Sequence, residues 1–226
     1  MVAQHFSHVD AWVFDLDNTL YPPSARLFDQ IEARMVAWLM RELSVTRIEA
    51  DQLRADYWHT YGTTLAGLMA VHSVDPWPFL HDVHDIQLGH LAPAPELASL
   101  IRALPGRRIV YTNGDAFYAG RVLAARGLTG VFDAVYGIEH AGWRPKPERA
   151  AYDAVFAADG VTPDSAAMFE DDIRNLAEPF AMGMRTVHVA PQPNPQPHIQ
   201  HHTADLVGFL SQVVGQDFPP GIVRLT

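Results

Sequence analysis

The sequence contains no cysteine, few positive charges and no apolar run of membrane-spanning length. Without cysteine, the chain can form no disulfide, no thiolate metal site and no cysteine nucleophile. Its 16 Lys and Arg residues are outnumbered by 26 Asp and Glu residues, which gives a formal net charge of -10. This balance argues against binding to a nucleic-acid polymer, because such binding needs clustered positive charge. An anionic ligand would therefore need a local source of positive charge.

The N-terminal residues carry no sign of a targeting signal. The first ten, MVAQHFSHVD, lack both a positively charged start and an apolar segment long enough for a signal peptide. We therefore expect a cytoplasmic protein that does not bind a membrane. With 48% hydrophobic and 19% charged residues, the composition is that of a globular protein with a sizeable core.

Short apolar runs alternate with helical patterns over most of the chain. Runs that are apolar on both faces are typical of strands in a parallel sheet, which is covered by helices on each side. Four predicted strands are Ala11–Phe14, Arg108–Thr112, Ala166–Phe169 and Arg185–Val189. The alternation predicts an α/β fold with a doubly wound, Rossmann-like parallel sheet.

Residues 21–95 have a different pattern, with helical periodicity and no convincing strand. Thr46 and Glu49 have the spacing of a capping box at a helix start. An apolar stripe at helical spacing comprises Phe28, Ile31, Met35, Trp38, Leu39 and Leu43. Because this segment follows the first strand directly, we predict an all-helical cap domain inserted into a core formed by residues 1–20 and 96–226.

A stretch rich in Pro, Gln and His, PQPNPQPHIQHH, runs from Pro191 to His202. Its composition predicts an extended loop that leads to a final helix. Its histidines do not have a regular metal-ligand spacing, so we predict no metal site there.

Two aspartates, Asp15 and Asp17, follow the first predicted strand in the stretch WVFDLDNTLYPP. The carboxyl end of a parallel strand is where open α/β sheets bind ligands. On a straight strand these two side chains would point to opposite faces, so both reach one site only if the chain turns after Asp15. One carboxylate could then attack phosphorus while the other donates and accepts protons. A pair of solvated strand-end carboxylates is the alternative.

Two further stretches offer groups that could hold a phosphate. In YTNGD, Thr112 and Asn113 follow the second predicted strand, and a hydroxyl with backbone N–H groups near a helix start can bind phosphate oxygens. In WRPKPE, prolines bracket Lys146, which could supply the local positive charge. The alternatives are an ordinary strand-to-helix turn and a surface lysine.

The stretch MFEDDIRN places Glu170, Asp171 and Asp172 at the end of another predicted strand. Three adjacent acids repel one another unless a cation is present, and oxygen ligands suit Mg²⁺. A helix-capping role for one of the acids is the competing interpretation.

These four stretches, in this order and each at a strand end, resemble the haloacid dehalogenase-like (HAD) phosphohydrolase superfamily over roughly Ala11 to Val189. The resemblance implies that Asp15 is the nucleophile and a Mg²⁺ ligand. It implies that Asp17 is the general acid/base, with its backbone carbonyl on the metal.

The resemblance also assigns the remaining motifs. Thr112 and Lys146 match the phosphate-binding pair, and Asn113 supports the same group. Asp171 matches the best metal ligand of the acidic motif, while either Glu170 or Asp172 provides the second carboxylate.

Finer features of the resemblance point to a substrate class. The helical insert matches the subfamily with a cap after the first motif, and Asp17 disfavours true dehalogenases, which lack an acid at this position. The stretches DLDNTLYPP, YGTTLAGL and YTNGDAFYAGRVL are similar to the pyrimidine 5'-nucleotidase group, which removes phosphate from UMP and CMP. The expected partner is thus a small phosphorylated metabolite, a nucleoside monophosphate. Predicted cap contacts to it are Tyr61, Thr63, Thr64 and His72.

Three alternatives to a nucleotidase stay open at this stage. The chain could hydrolyse another small phosphomonoester, such as a sugar phosphate or phosphoglycolate. A phosphomutase would use the same core but return the phosphoryl group to its substrate. A non-catalytic binding module would keep the fold without turnover.

Overall fold

The computed structural model describes residues 2–215, which contain six strands and ten α-helices. The strands are β1 Ala11–Phe14, β2 Arg107–Tyr111, β3 Ala134–Tyr136, β4 Ala166–Glu170, β5 Arg185–Val189 and β6 His201–Thr203. The helices are α1 Val2–His5, α2 Leu27–Leu43, α3 Arg47–Tyr61, α4 Thr64–His72, α5 Pro76–Val83, α6 Pro95–Ala103, α7 Ala116–Ala125, α8 Arg149–Asp159, α9 Ala177–Ala181 and α10 Leu206–Val214.

The six strands form one parallel sheet in the order β3-β2-β1-β4-β5-β6. The predicted doubly wound α/β fold is therefore confirmed, and all four predicted strands are present. The second strand ends at Tyr111, one residue earlier than predicted. Two short edge strands were not predicted. One of them, β6, lies at the end of the stretch from Pro191 to His202, where the sequence predicts only a loop. It is a strand because its backbone pairs in parallel with β5.

Strand β1 lies at the centre of the sheet and is buried on both faces. Trp12 and Phe14 pack into one hydrophobic cluster, and Ala11 and Val13 pack into another on the opposite face. Successive side chains of a strand point to opposite faces, so a continuously apolar strand joins two layers. Burying a large side chain such as Phe14 contributes about 1.5–3 kcal/mol. The strand is thus a rigid support for the residues that follow it.

Helices α2 to α5 form the predicted helical cap between β1 and β2. The capping box at the start of α3 is confirmed, since Thr46 accepts from the Glu49 N–H and the Glu49 carboxylate accepts from the Thr46 N–H. The next helix in sequence, α6, instead packs against α10, which is the final helix predicted after the loop. The exact cap limits, residues 21 and 95, stay a prediction. Within residues 2–215, no helix is long and apolar enough to cross a membrane.

Candidate active site

The predicted motifs meet at the carboxyl edge of the sheet. Strands β2, β1 and β4 are neighbours and run parallel, so their carboxyl ends lie side by side. Asp15 follows β1, Thr112 follows β2 and Glu170 ends β4. A cavity of about 260 Å³ lies between this edge and the cap helices, and all three residues line it. Sheet topology thus gathers groups that are more than 150 residues apart in the chain.

Lys146 lies at the centre of the edge and is 1% exposed. Its Nζ atom donates to Asp15 Oδ1 at 2.7 Å, to Glu170 Oε2 at 2.6 Å and to the Tyr111 carbonyl at 3.1 Å. All three donor positions of the ammonium group are used. Burial disfavours the charged form, but Asp15 and Glu170 together raise the pKa of Lys146 above its ordinary value. Lys146 is therefore a fixed positive charge beside the Asp15 carboxylate.

The same edge carries more negative charge than Lys146 can neutralise. Carboxylate oxygens of Asp15, Glu170 and Asp171 lie within 4.8 Å of one another. Three carboxylates against one ammonium group leave two formal negative charges. Burial and the Glu170 charge raise the pKa of Asp15 to about 8, against the lowering effect of Lys146, and raise the pKa of Asp171 to about 10. A divalent cation with oxygen ligands would satisfy this arrangement, because it would balance the two charges.

The acidic motif divides into two parts in the structure. The Asp172 carboxylate forms an ion pair with Arg174, with Oδ2 2.6 Å from Nη2, and its Oδ1 accepts from the Arg174 N–H. Glu170 instead joins Asp15 and Asp171 in the cluster of carboxylates. Asn18 donates to Asp171 Oδ2 at 3.2 Å and helps to hold it. The geometry therefore favours Glu170 over Asp172 as the second acidic ligand, and assigns Asp172 a capping role.

Asp17 reaches the cavity because the chain turns immediately after β1. The Leu20 N–H donates to the Leu16 carbonyl, and Asp15 and Asp17 both line the cavity. Two tyrosine hydroxyls, from Tyr21 and Tyr118, donate to Asp17 Oδ1 at 2.5 and 2.7 Å. Burial, and then the Asp17 charge, raise the pKa of both tyrosines well above the ordinary value, so both act as donors. Among residues 2–215, no hydrogen bond is formed to the second carboxylate oxygen of Asp17, Oδ2.

Thr112 and Asn113 lie next to Lys146. The Thr112 hydroxyl accepts from the Gly114 N–H at 2.9 Å, which closes the turn after β2. The Asn113 side chain donates to the Lys146 carbonyl at 3.1 Å and accepts from the Lys146 N–H at 2.8 Å. Asn113 therefore holds the backbone of Lys146. Its predicted contact with phosphate, like that of Thr112, stays a prediction.

The four predicted cap contacts do not all reach this cavity. Thr63 and Thr64 line it, and the Thr63 hydroxyl also caps α4 by accepting from the Ala66 N–H. Tyr61 lines a neighbouring groove instead, and the Nε2 atom of His72 is hydrogen-bonded to the Tyr57 hydroxyl at 2.7 Å. Of the four residues, only the two threonines are placed where a ligand in the cavity could contact them.

Sequence reasoning missed several residues that shape the cavity. Tyr21 and Tyr118 hold Asp17, and His84 and Arg54 line the cavity from the cap. The position of Tyr21, four residues after Asp17, is the one local signal that could have been recognised. The other contacts depend on how the cap packs on the core, which no spacing in the sequence specifies.

Comparison with known proteins identifies one family. Residues 9–178 match the haloacid dehalogenase-like hydrolases. Phosphate metabolism protein 8 of Saccharomyces cerevisiae is 26% identical over 191 residues, which cover 76% of this chain and 58% of the yeast protein. The chain thus spans less than two thirds of that relative's length.

Solved structures share the fold at low sequence identity. A HAD phosphatase from Thermococcus onnurineus matches with a TM-score of 0.63 and 17% identity, over 92% of this chain and 99% of that one. The HAD-hydrolase YfnB of Bacillus subtilis, bound to magnesium, matches with a TM-score of 0.60 and 15% identity, over 91% and 98%. L-2-haloacid dehalogenase from Xanthobacter autotrophicus matches with a TM-score of 0.58 and 19% identity, over 92% and 100%. The shared fold therefore accommodates both phosphatases and dehalogenases.

Proposed function

Because the chain belongs to the haloacid dehalogenase-like hydrolases, we propose that it is a Mg²⁺-dependent phosphomonoester hydrolase that acts through an aspartyl phosphate on Asp15. We further propose that its substrates are pyrimidine nucleoside 5'-monophosphates, UMP and CMP. The cytoplasmic location predicted from the sequence is part of the same proposal.

One observation carries the choice of phosphatase over dehalogenase. A second carboxylate, that of Asp17, shares the cavity with Asp15 and is held there by two tyrosine hydroxyls. Release of an alcohol from a phosphomonoester needs a group that protonates the departing oxygen, and a carboxylic acid can do this. Release of a halide ion needs no such proton. The presence of a second carboxylate in the cavity therefore supports phosphate-ester chemistry.

The proposed mechanism assigns a separate role to each charged group. Asp15 attacks phosphorus and forms a bond to it as the ester oxygen departs, and Asp17 gives that oxygen a proton. Water then cleaves the aspartyl phosphate, with Asp17 now accepting the proton from water. Lys146 stabilises negative charge on the phosphoryl oxygens and keeps Asp15 in place.

A bound metal ion would complete this charge balance. The carboxylates of Asp15, Glu170 and Asp171 would hold Mg²⁺. They offer the oxygen ligands that Mg²⁺ prefers, and Lys146 leaves two of their three negative charges unbalanced. When bound, Mg²⁺ supplies positive charge that stabilises the phosphoryl oxygens.

The cap side of the cavity supports a leaving group that carries no net charge. Its apolar lining residues are Phe28, Ile31, Met35, Trp58, Leu65, Phe79, Leu80 and Val83. Of the described residues, two arginines line the cavity. Each is paired with a carboxylate, Arg54 with Glu32 at 2.8 Å and Arg174 with Asp172 at 2.6 Å. A nucleoside suits this surface better than the carboxylate of phosphoglycolate, because Glu32 and Asp172 already balance the charges of the two arginines.

A phosphomutase and a non-catalytic binding module remain the other candidate functions. A mutase would yield an isomerised phosphate ester in place of free phosphate. A binding module would bind the ester without turnover, which is at odds with the presence of both Asp15 and Asp17.

The test is phosphate release with Mg²⁺ from a panel of esters that includes UMP, CMP, AMP, GMP, sugar phosphates and phosphoglycolate. We expect the highest kcat/KM for UMP and CMP. Preference for another ester would overturn the pyrimidine assignment and keep the phosphatase. Chloride release from 2-chloropropionate, without phosphate release from any ester, would overturn the phosphatase assignment.

A further inference from the structure

His84 is a cap residue that reaches the core of the candidate active site. It follows α5 directly, lines the cavity and is 8% exposed. Its Nδ1 atom lies 2.6 Å from Asp115 Oδ2. Its carbonyl oxygen accepts from Arg121 Nη1 at 3.0 Å. The backbone and one ring nitrogen are therefore both fixed by residues of the core.

The Asp115 carboxylate determines which ring nitrogen carries a proton. Burial alone would raise the pKa of Asp115, but hydrogen bonds from His84 and from backbone N–H groups hold this pKa below its ordinary value. Asp115 is thus an acceptor, and it also accepts from the Tyr118 N–H at 2.8 Å. His84 Nδ1–H must then be a donor, which leaves Nε2 as the ring nitrogen available to a ligand.

The position of the ring points to phosphate as that ligand. His84 stacks on Tyr118, with ring centroids 4.2 Å apart and planes at 11°, and the Tyr118 hydroxyl donates to Asp17. A Cβ atom added to Gly114 would lie 3.5 Å from His84 Cε1 and 3.4 Å from Thr112 Oγ1. The imidazole therefore lies against the turn that carries the predicted phosphate-binding hydroxyl. Among residues 2–215, no group is hydrogen-bonded to Nε2.

We propose that His84, held by Asp115, donates a hydrogen bond from Nε2 to a non-bridging oxygen of the bound phosphate. With a proton on each ring nitrogen, His84 points one N–H group to Asp115 and the other to the phosphate. Because His84 belongs to the cap, the cap contributes directly to the phosphate site, and the floor of the cavity alone leaves that site incomplete. This inference rests on the proposed function, since it assumes that a phosphate occupies the cavity.

Two substitutions separate a phosphate contact from a purely structural role. In His84→Asn, the amide nitrogen can replace Nδ1 and keep the hydrogen bond to Asp115, but nothing replaces Nε2. In His84→Gln, the amide nitrogen lies near the position of Nε2, and the bond to Asp115 is lost. The control is His81→Asn, which changes an exposed histidine of α5, three residues before His84, that does not line the cavity.

The measurement is calorimetric binding of inorganic phosphate in the presence of Mg²⁺, with thermal unfolding to confirm that each variant is folded. We expect His84→Asn to weaken phosphate binding by about 10- to 100-fold, with a smaller loss in His84→Gln and none in His81→Asn. The reverse order of the two His84 variants would show that the bond to Asp115 is what matters and would overturn the proposal. Unchanged binding in His84→Asn, or equal losses in both variants, would overturn it as well.

Phosphate binding and ester hydrolysis, measured on the same protein samples, distinguish this inference from the proposed function. If the unaltered protein binds phosphate but hydrolyses no ester, the proposed function fails while the order of the variants still decides the role of His84. If it hydrolyses esters and His84→Asn binds phosphate normally, only the role of His84 fails.

Discussion

Two surfaces face each other across the cavity, and they differ in almost every physical property. The cavity floor, formed by Asp15, Thr112, Lys146, Glu170 and Asp171, is polar and held by short hydrogen bonds and ion pairs. The cap wall is the apolar part of the cap lining, formed by Phe28, Ile31, Met35, Leu65 and Phe79, and it comes from helices α2, α4 and α5.

This difference indicates a division of labour between the two surfaces. Charges fixed in advance at the floor can stabilise a transition state without rearranging, which is what the chemical step requires. An apolar wall contributes binding that is similar in the ground and transition states, so it mainly affects which leaving group is bound. Substitutions in the floor should therefore affect kcat, and substitutions in the wall should affect KM.

The largest expected effect is that of Asp15→Asn in the floor. The amide can still accept a hydrogen bond from Lys146, but it cannot act as the nucleophile, so phosphate release should fall by about 10⁴-fold or more. The measurement is kcat with UMP and Mg²⁺, together with thermal unfolding as a control for folding. A variant that keeps a tenth of the normal rate would show that Asp15 is not the nucleophile.

Lys146→Met should cause the largest loss of stability. It leaves Asp15 and Glu170 buried without their shared cation, which should lower the free energy of unfolding by about 3–5 kcal/mol. Urea denaturation measures this loss. Adding Glu170→Gln should recover part of it, because one buried charge is then removed. A loss below about 1 kcal/mol would contradict the role of Lys146 as the balancing charge.

Phe28→Ala tests the cap wall. Its expected effect is smaller than those of the two floor variants and falls on KM. Phe28 is 40% exposed although it lines the cavity, so its removal should barely change stability. We expect KM for the preferred ester to rise about 3- to 30-fold with little change in kcat. The matched control is Ile48→Ala, since Ile48 is 83% exposed on α3 and does not line the cavity. A fall in kcat without a change in KM would contradict the division of labour.

The smallest effect is expected for Thr46→Ala, because Thr46 does not line the cavity. Loss of the capping box at α3 should lower the free energy of unfolding by about 1 kcal/mol and leave kcat and KM unchanged. Thr46→Ser keeps the hydroxyl and should remain close to the unaltered protein. A severalfold change of KM in Thr46→Ala would contradict this prediction, because it would show that the stability of the cap affects substrate binding.

The two surfaces also differ in how far the sequence predicts them. The floor follows from one rule, because carboxylates and hydroxyls placed directly after buried parallel strands must meet at the same sheet edge. Asp15, Thr112 and Glu170 are brought together in that way. The choice between Glu170 and Asp172 required the structure, since it depends on the ion pair between Asp172 and Arg174.

The cap wall is less predictable because helix periodicity identifies an apolar stripe but not its partner. Of the predicted stripe, Trp38 and Leu39 are buried, whereas Phe28 lines the cavity. Likewise, the sequence places His72 and His84 in the same segment without distinguishing them. Packing of the cap on the core directs His84 to Asp115 and His72 to Tyr57. Such contacts between distant helices have no signature in local spacing.

The most direct test of the central claim is chemical trapping of the proposed intermediate on Asp15. The protein would be mixed with UMP and Mg²⁺ and quenched in acid, and any acyl phosphate would be reduced with borohydride before peptide mass spectrometry. We predict homoserine at position 15, dependent on substrate and absent in Asp15→Asn. Steady release of phosphate with no modification at position 15, or with the modification at Asp17, would contradict the claim.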